Sequence, residues 1–300
     1  MPYFHIVFTL PHELSALVLQ NKRLLYDLLF RTSAATLLED ARDPKHLGAD
    51  IGLLSVLHTW GQNLEHHPHV HCVVPDGGLA HDGSRWVAAS SRFFLPVRVL
   101  SRVFRGKFTA ELKQLLLQGK LQFHGSLKEL AAPERLQRFL RQLFSKGWVV
   151  YTKSPFGAAE HVLNYLARCT HRVAISNHRL VSFKDDRVSF LWKDYATGSR
   201  QKIMTVSADE FLRLFLIRVL PKGLVRIRHF GLFANRKRSA SLLRSRLLLN
   251  AAAPSPPPVP TAQMKCPLCS GPMLVVERIT SFQLRDISTT SPPKPSFDSS

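Results

Sequence analysis

Acidic residues are scarce in this 300-residue chain: 21 Asp and Glu stand against 41 Lys and Arg, a formal net charge of +20. The pI of about 10.4 points to a polyanionic partner, usually nucleic acid. An anionic membrane surface would attract the same charge, but no uncharged apolar run reaches the ~18 residues of a membrane-spanning helix. Cysteine is rarer still. Four residues make no disulfide framework and suit a reducing cytosol. The opening MPYFHIVFTLP has no basic stretch leading into an apolar one, so no secretory leader is expected. A Walker-type glycine loop is also missing, which argues against nucleotide hydrolysis. No internal repeat is visible. What remains is 45% hydrophobic with mean hydropathy −0.04, the balance of a folded globular protein.

Three segments are expected: a folded region 1–250, a proline-rich linker 251–263 (AAAPSPPPVPTAQ), and a mostly disordered tail 264–300. The tail holds Cys266-Pro267-Leu268-Cys269. This is half of a zinc knuckle; four ligands are needed and no second pair follows, so bound zinc is not expected there. In the folded region Tyr3–Leu10 reads as a strand, and 12–41 as helical with a break near Asn21. Ile51–Trp60 and His69–Val74 read as strands around a turn at Gly61–Pro68. Helical patterns return at 97–118, 134–145, 157–169 and Ala208–Leu220. Further strands are expected at Trp148–Lys153, His171–Ser176 and Leu180–Trp192, the last with a turn at Lys184-Asp185-Asp186. The irregular interleaving favours an α+β fold with a central antiparallel sheet flanked by helices.

The sharpest chemistry lies in His66-His67-Pro68-His69-Val70-His71. On a strand, His69 and His71 share one face while Val70 points into the core. Two imidazoles on one face make half of a divalent metal site. Proline cannot donate to a sheet ladder, so the strand is expected to begin at Pro68, with His66 and His67 in the turn. Gln62 and Glu65 precede the pair across that turn. Further on, His161, Tyr165 and Cys169 fall on one stripe of an expected helix, flanked by Arg168 and Arg172.

A strand ending in Phe8-Thr9-Leu10, a later His-hydrophobic-His strand and a still later helical tyrosine follow the motif order of HUH nucleases. The chain resembles the HUH transposases of the insertion-sequence-91 group (the 801/1294 type). The likeness runs from about Tyr3 to Leu248 through PYFHIVFTLP (2–11), DPKHLGADIG (43–52), HTWGQNLEHHPHVHCVVPDGG (58–78), FFLPVRVLSRVFR (93–105), YLARCTHRVAISNHRL (165–180), FLWKDY (190–195) and VRIRHFGLFANR (225–236). It implies an HUH-endonuclease-like sheet and rolling-circle transposition in a bacterial cytoplasm, at the nucleoid. It also implies Mg²⁺ or Mn²⁺ on His69 and His71, with Gln62 as third ligand by its position. Tyr165 is implied as the nucleophile that forms a 5′-phosphotyrosine with single-stranded DNA at element ends. Two departures stand out. The position of a second tyrosine in two-tyrosine relatives is Cys169, and the cysteine-rich zinc-binding domain that precedes the first strand in relatives is expected to be missing. Both suit a truncated or decayed transposase that retains DNA binding; a hydrolase that activates water on His69 and His71 is a further alternative.

DNA contact is expected late in the chain. Arg213 to Arg246 holds ten Lys/Arg and no Asp/Glu, with Phe215, Phe230 and Phe233 interleaved. Arg226, Arg228, Arg236, Lys237 and Arg238 are the candidate phosphate contacts, with Lys193 expected to face the site.

Overall fold

The structure, a computed structural model, describes residues 2–89, 95–153, 175–194, 198, 200–251, 264–265, 269 and 271–273. The chain divides into two units, Met1–Ala251 and Ala252–Ser300. In the second, the described residues form a two-stranded antiparallel pair, Met264–Lys265 with Pro272–Met273, and the Cys269 thiol is exposed.

The first unit opens with β1 (Tyr3–Thr9), in which Phe4, Ile6 and Phe8 alternate with His5, Val7 and Thr9. The period of two sends one row to each face of the sheet, and the apolar row is lost from solvent. The helical stretch that follows is split, as expected, into α1 (Ser15–Gln20) and α2 (Lys22–Arg42). Asn21 breaks it through its side chain. Its Nδ2 donates to the carbonyls of Leu17 (3.1 Å) and Gln122 (2.9 Å), and its Oδ1 accepts the Gln122 N–H at 2.8 Å. A short amide that bonds backbone elsewhere competes with the helical ladder.

Next come β2 (Gly52–Trp60), β3 (His66–Pro75), the small pair β4 (Gly77–Leu79) and β5 (Trp86–Ala88), α3 (Val97–Leu117), α4 (Pro133–Ser145) and β6 (Val150–Lys153). A hairpin of β7 (Leu180–Lys184) and β8 (Arg187–Asp194) leads to β9 (Arg200–Ser207), α5 (Ala208–Leu216), β10 (Ile227–Gly231) and α6 (Arg238–Leu248). Five strands form the main sheet in the order β10-β2-β3-β1-β6, every neighbouring pair antiparallel. The α+β class with an antiparallel sheet is therefore the one expected. At the sheet's edge Gly231 has φ +61°, and a Cβ there would lie 2.0 Å from the Ile51 carbonyl oxygen, so only glycine closes β10 against β2.

One face of this sheet is the floor of the core. Phe4, Ile6 and Phe8 of β1, Leu53 and Leu57 of β2, and Val70, Cys72 and Val74 of β3 pack with buried side chains of α2 and α3. Phe104 is the hub, with ring centroids 4.9 Å from Phe8, 6.0 Å from Phe108 and 5.3 Å from Trp148. Such edge-to-face aromatic pairs add to the area they bury.

The β2–β3 hairpin corrects one expectation. Strand β3 begins at His66 rather than Pro68. The register reads His58↔His69 and then Trp60↔His66, so three steps along β3 stand against two along β2. Pro68 lies inside that irregularity, where no ladder amide is required, and its carbonyl accepts the Leu10 N–H at 3.2 Å.

The β7–β8–β9 sheet is smaller. Its first turn places Asp185 and Asp186 at φ +50° and +56°, the left-handed pair of a two-residue hairpin. Helix α5 starts with Ser207 Oγ accepting the Glu210 N–H at 3.2 Å. It stops at Leu216 and tightens into three-residue turns, with Arg218 N–H on Phe215 and Val219 N–H on Leu216, because Pro221 has no N–H to offer the Ile217 carbonyl. Lys22 Nζ donates to Ile217 at 2.7 Å and to Val219 at 3.2 Å.

Candidate metal centre

The helix-free row of the main sheet carries the histidines. Val70 and Cys72 turn inward, so His69 and His71 turn outward, and the register sets His58 of β2 directly across from His69. Nitrogen atoms of His58, His69 and His71 lie within 4.8 Å of one another, and all three residues are half-buried. Ring centroids of His58 stand 5.3 Å from His69 and 4.2 Å from His71, and His69 stands 4.9 Å from His71.

The electrostatics of His69 and His71 favour the neutral, ligating form. Burial pushes the pKa of His69 down to about 4. Burial lowers that of His71 further, helped by the neighbouring His69, His58 and His5 and by the Arg226 guanidinium. The ring orientations are held as well. His69 Nδ1–H donates to the His67 carbonyl at 2.7 Å, which leaves Nε2 with its lone pair. His71 Nδ1 lies 2.8 Å from His5 Nε2. Three imidazoles suit a transition-metal ion better than Mg²⁺, which prefers an all-oxygen shell. The donor set fits a metal.

His58, eleven residues before His69, is not among the residues singled out from the sequence; its place opposite His69 comes from the β2–β3 register. Gln62, the residue singled out instead, sits in the turn between the strands, where its carbonyl accepts from Arg179 Nη2. Leu64 in the same turn has φ +64° and is fully buried, an unusual conformation for a leucine. Its carbonyl accepts from Arg218 Nη2, so two arginines from later in the chain clamp this turn beside the histidines.

Arg226 extends the cluster. Its Nε donates to the Leu57 carbonyl at 3.0 Å, and its guanidinium lies 5.0 Å from the centre of the Trp60 ring, which in turn stacks on His58 at 5.4 Å. Arg228 faces the other side of the sheet, ion-paired with Asp27 and 4.4 Å from the Phe30 ring centre. Arg236, Lys237 and Arg238 are exposed around the start of α6 and form no ion pair among the described residues. Lys193 is exposed on β8. The expected helix with His161, Tyr165, Arg168 and Cys169, as well as Arg172 and Cys266, lies outside the described residues. No described helix is long and apolar enough to cross a membrane.

This hairpin with its histidines falls inside the stretch by which the chain can be classified. Residues 52–240 match the Y2_Tnp family, described as "Putative transposase", and the chain belongs to that family. It is 54% identical over 254 residues to "Putative transposase y4qJ" of Sinorhizobium fredii (strain NBRC 101917 / NGR234), a match covering 85% of this chain and 64% of that protein. It is 27% identical over 303 residues to "Transposase for insertion sequence element IS801" of Pseudomonas savastanoi pv. phaseolicola, over 96% of this chain and 70% of that one. The chain thus spans less than two thirds of the length of the first of these relatives. A solved structure titled "Conjugative Relaxase Trwc In Complex With Orit DNA. Metal-Bound Structure" matches with a TM-score of 0.31 and 15% identity, over 82% of this chain and 72% of that one.

Proposed function

We propose that the chain is a metal-dependent DNA nickase and strand transferase acting in rolling-circle transposition. The observation that carries this is the convergence of three imidazoles on one face of the β2–β3 hairpin in a member of a transposase family. His58, His69 and His71 would hold a divalent ion, taken to be Mg²⁺ or Mn²⁺ in the working protein. When bound, such an ion supplies Lewis-acid stabilisation of charge at the oxygens of the scissile phosphate.

The remaining chemistry belongs to the chain. Tyr165 attacks the phosphorus of single-stranded DNA at the element's end. Its O–P bond forms as the bond to the 3′-oxygen breaks, giving a 5′-phosphotyrosine and a free 3′-hydroxyl. The phenol gives up a proton and the departing oxygen takes one, so the exchange is balanced without a nucleotide co-substrate. A phenol with its ordinary pKa near ~10 needs help to ionise at neutral pH, and the arginines expected around it, Arg168 and Arg172, supply positive charge. Arg226 adds a guanidinium next to His71, and Arg236, Lys237 and Arg238 provide exposed charge for the phosphate backbone. Cys169, in the place of a second tyrosine, favours a second reading in which the protein binds DNA and does not complete transposition.

A covalent-trapping assay tests both. Purified protein is incubated with Mn²⁺ and labelled single-stranded DNA carrying the element's ends, then run on a denaturing gel. A shifted band lost with EDTA, with Tyr165→Phe and with His69→Ala is the expected result. DNA binding without any adduct supports the second reading, and cleavage without an adduct means a hydrolytic enzyme instead.

A further inference from the structure

His5 has been given no role so far, yet its ring nitrogen lies within hydrogen-bond distance of His71. It sits on β1, next to β3, where the register pairs Val7 with His71 and His5 with Val73. His5 and His71 therefore share a face, offset by two residues. Their rings lie nearly parallel, 11° apart with centroids at 5.0 Å, and His5 Nε2 is 2.8 Å from His71 Nδ1. His5 itself is only 9% exposed.

We propose that His5 is a positioning residue that holds His71 in its metal-ligating tautomer, an inference that rests on the metal-centre reading above. An imidazole that ligates through Nε2 keeps its proton on Nδ1, and that N–H needs an acceptor. For His69 the acceptor is the backbone carbonyl of His67. For His71 it is a side chain, His5 Nε2, which puts the proton of His5 on its own Nδ1. The choice of acceptor has a chemical consequence. Carboxylates commonly fill this place in metal sites and add a negative charge beside the ion. A neutral imidazole orients His71 equally well and adds none, so an anionic phosphate approaching the ion meets no extra repulsion.

Two measurements test this. Mn²⁺ binding is followed by calorimetry for wild type, His5→Phe, His5→Gln and His58→Ala, with thermal melts of each variant. Losing an outer-shell partner weakens metal binding by roughly 10–100-fold. His5→Phe should show that loss while still folded, His5→Gln should recover part of it because its amide oxygen accepts, and His58→Ala should lose the site. Equal affinities of wild type and His5→Phe overturn the role of His5 and leave the metal centre standing. Absence of Mn²⁺ binding by wild type removes both. Imidazole nitrogen NMR on the wild-type protein gives an answer that does not depend on variants folding. A proton on His71 Nδ1 with an unprotonated His5 Nε2 is expected; a proton on His71 Nε2 sinks the proposal.

Discussion

The two larger sheets of this protein are built from strands of similar length and differ in what stands behind them. The five-stranded sheet has α2 and α3 against one face, and nearly every side chain on that face is fully buried. In the β7–β8–β9 sheet only Val188 and Phe190 are buried among its apolar side chains; Phe183 is 71% exposed and Ile203 61% exposed. Phe190 packs against Phe211 of α5 at 5.9 Å, and no comparable second layer follows among the described residues. A sheet anchored on one face can hold polar groups rigidly on the other, since the core fixes the strands and their register. The histidines sit on the sheet that has this anchor.

Acid should expose the contrast most strongly. Burial holds His66 and His69 at about 4, and lowers His67 and His71, against an ordinary value of 6.5. Between about pH 6.5 and about pH 4 the unfolded chain therefore binds more protons than the folded one. The stability contributed by these groups is complete above the upper value and drains away as pH falls toward the lower. Burial raises Asp40 and Asp76, which act with opposite sign, so the histidine share is read from wild type against His66→Gln. Urea midpoints measured across this range should fall with acid and fall less steeply in the variant; parallel profiles would remove His66 from the account. No strand of the β7–β9 sheet contains a histidine, so that sheet adds no histidine to the slope.

The next effect is packing. Phe104→Ala opens a hole between Phe8, Phe108 and Trp148 and should cost about 3–5 kcal/mol at neutral pH. A loss under ~1 kcal/mol in denaturant melts would mean that the aromatic hub is not the anchor. The smallest effect belongs to the other sheet. Phe183→Ala removes a side chain of the same size from an exposed strand and should stay within about 0.5 kcal/mol of wild type. A large loss there would show that something covers β7 in solution.

Much of this arrangement is legible in the sequence, for identifiable reasons. The alternation of Tyr3–Thr9, the long apolar stripes of α2 and α3 and the Lys184-Asp185-Asp186 turn are local patterns, and each forms where expected. Asn21 marks a helix break because its amide prefers other partners. Three things were not legible. Strand β10 and helix α6 carry so much positive charge that Arg213–Arg246 reads as a binding surface before it reads as structure. Helix α5 ends four residues before its expected end, where Pro221 leaves the Ile217 carbonyl without a donor and Lys22, nearly two hundred residues away, supplies one. His58 is the third: that it stands across from His69 is visible only once the hairpin register is known. Gln62, the third ligand expected from its position relative to the pair, lies in the turn between the two strands.

The irregularity at Pro68 has a consequence for how the gene can drift. Substitutions at Asn63 or Glu65 leave each residue of the hairpin opposite its mate. Removal of a single residue between Trp60 and His69 does not, because the pleat repeats every two positions. A one-residue slip of the register makes His69 and His71 trade places with Val70 and Cys72, which puts imidazoles into the core and apolar groups on the outer face. The length of this hairpin therefore constrains its two faces more tightly than the identities of its turn residues do.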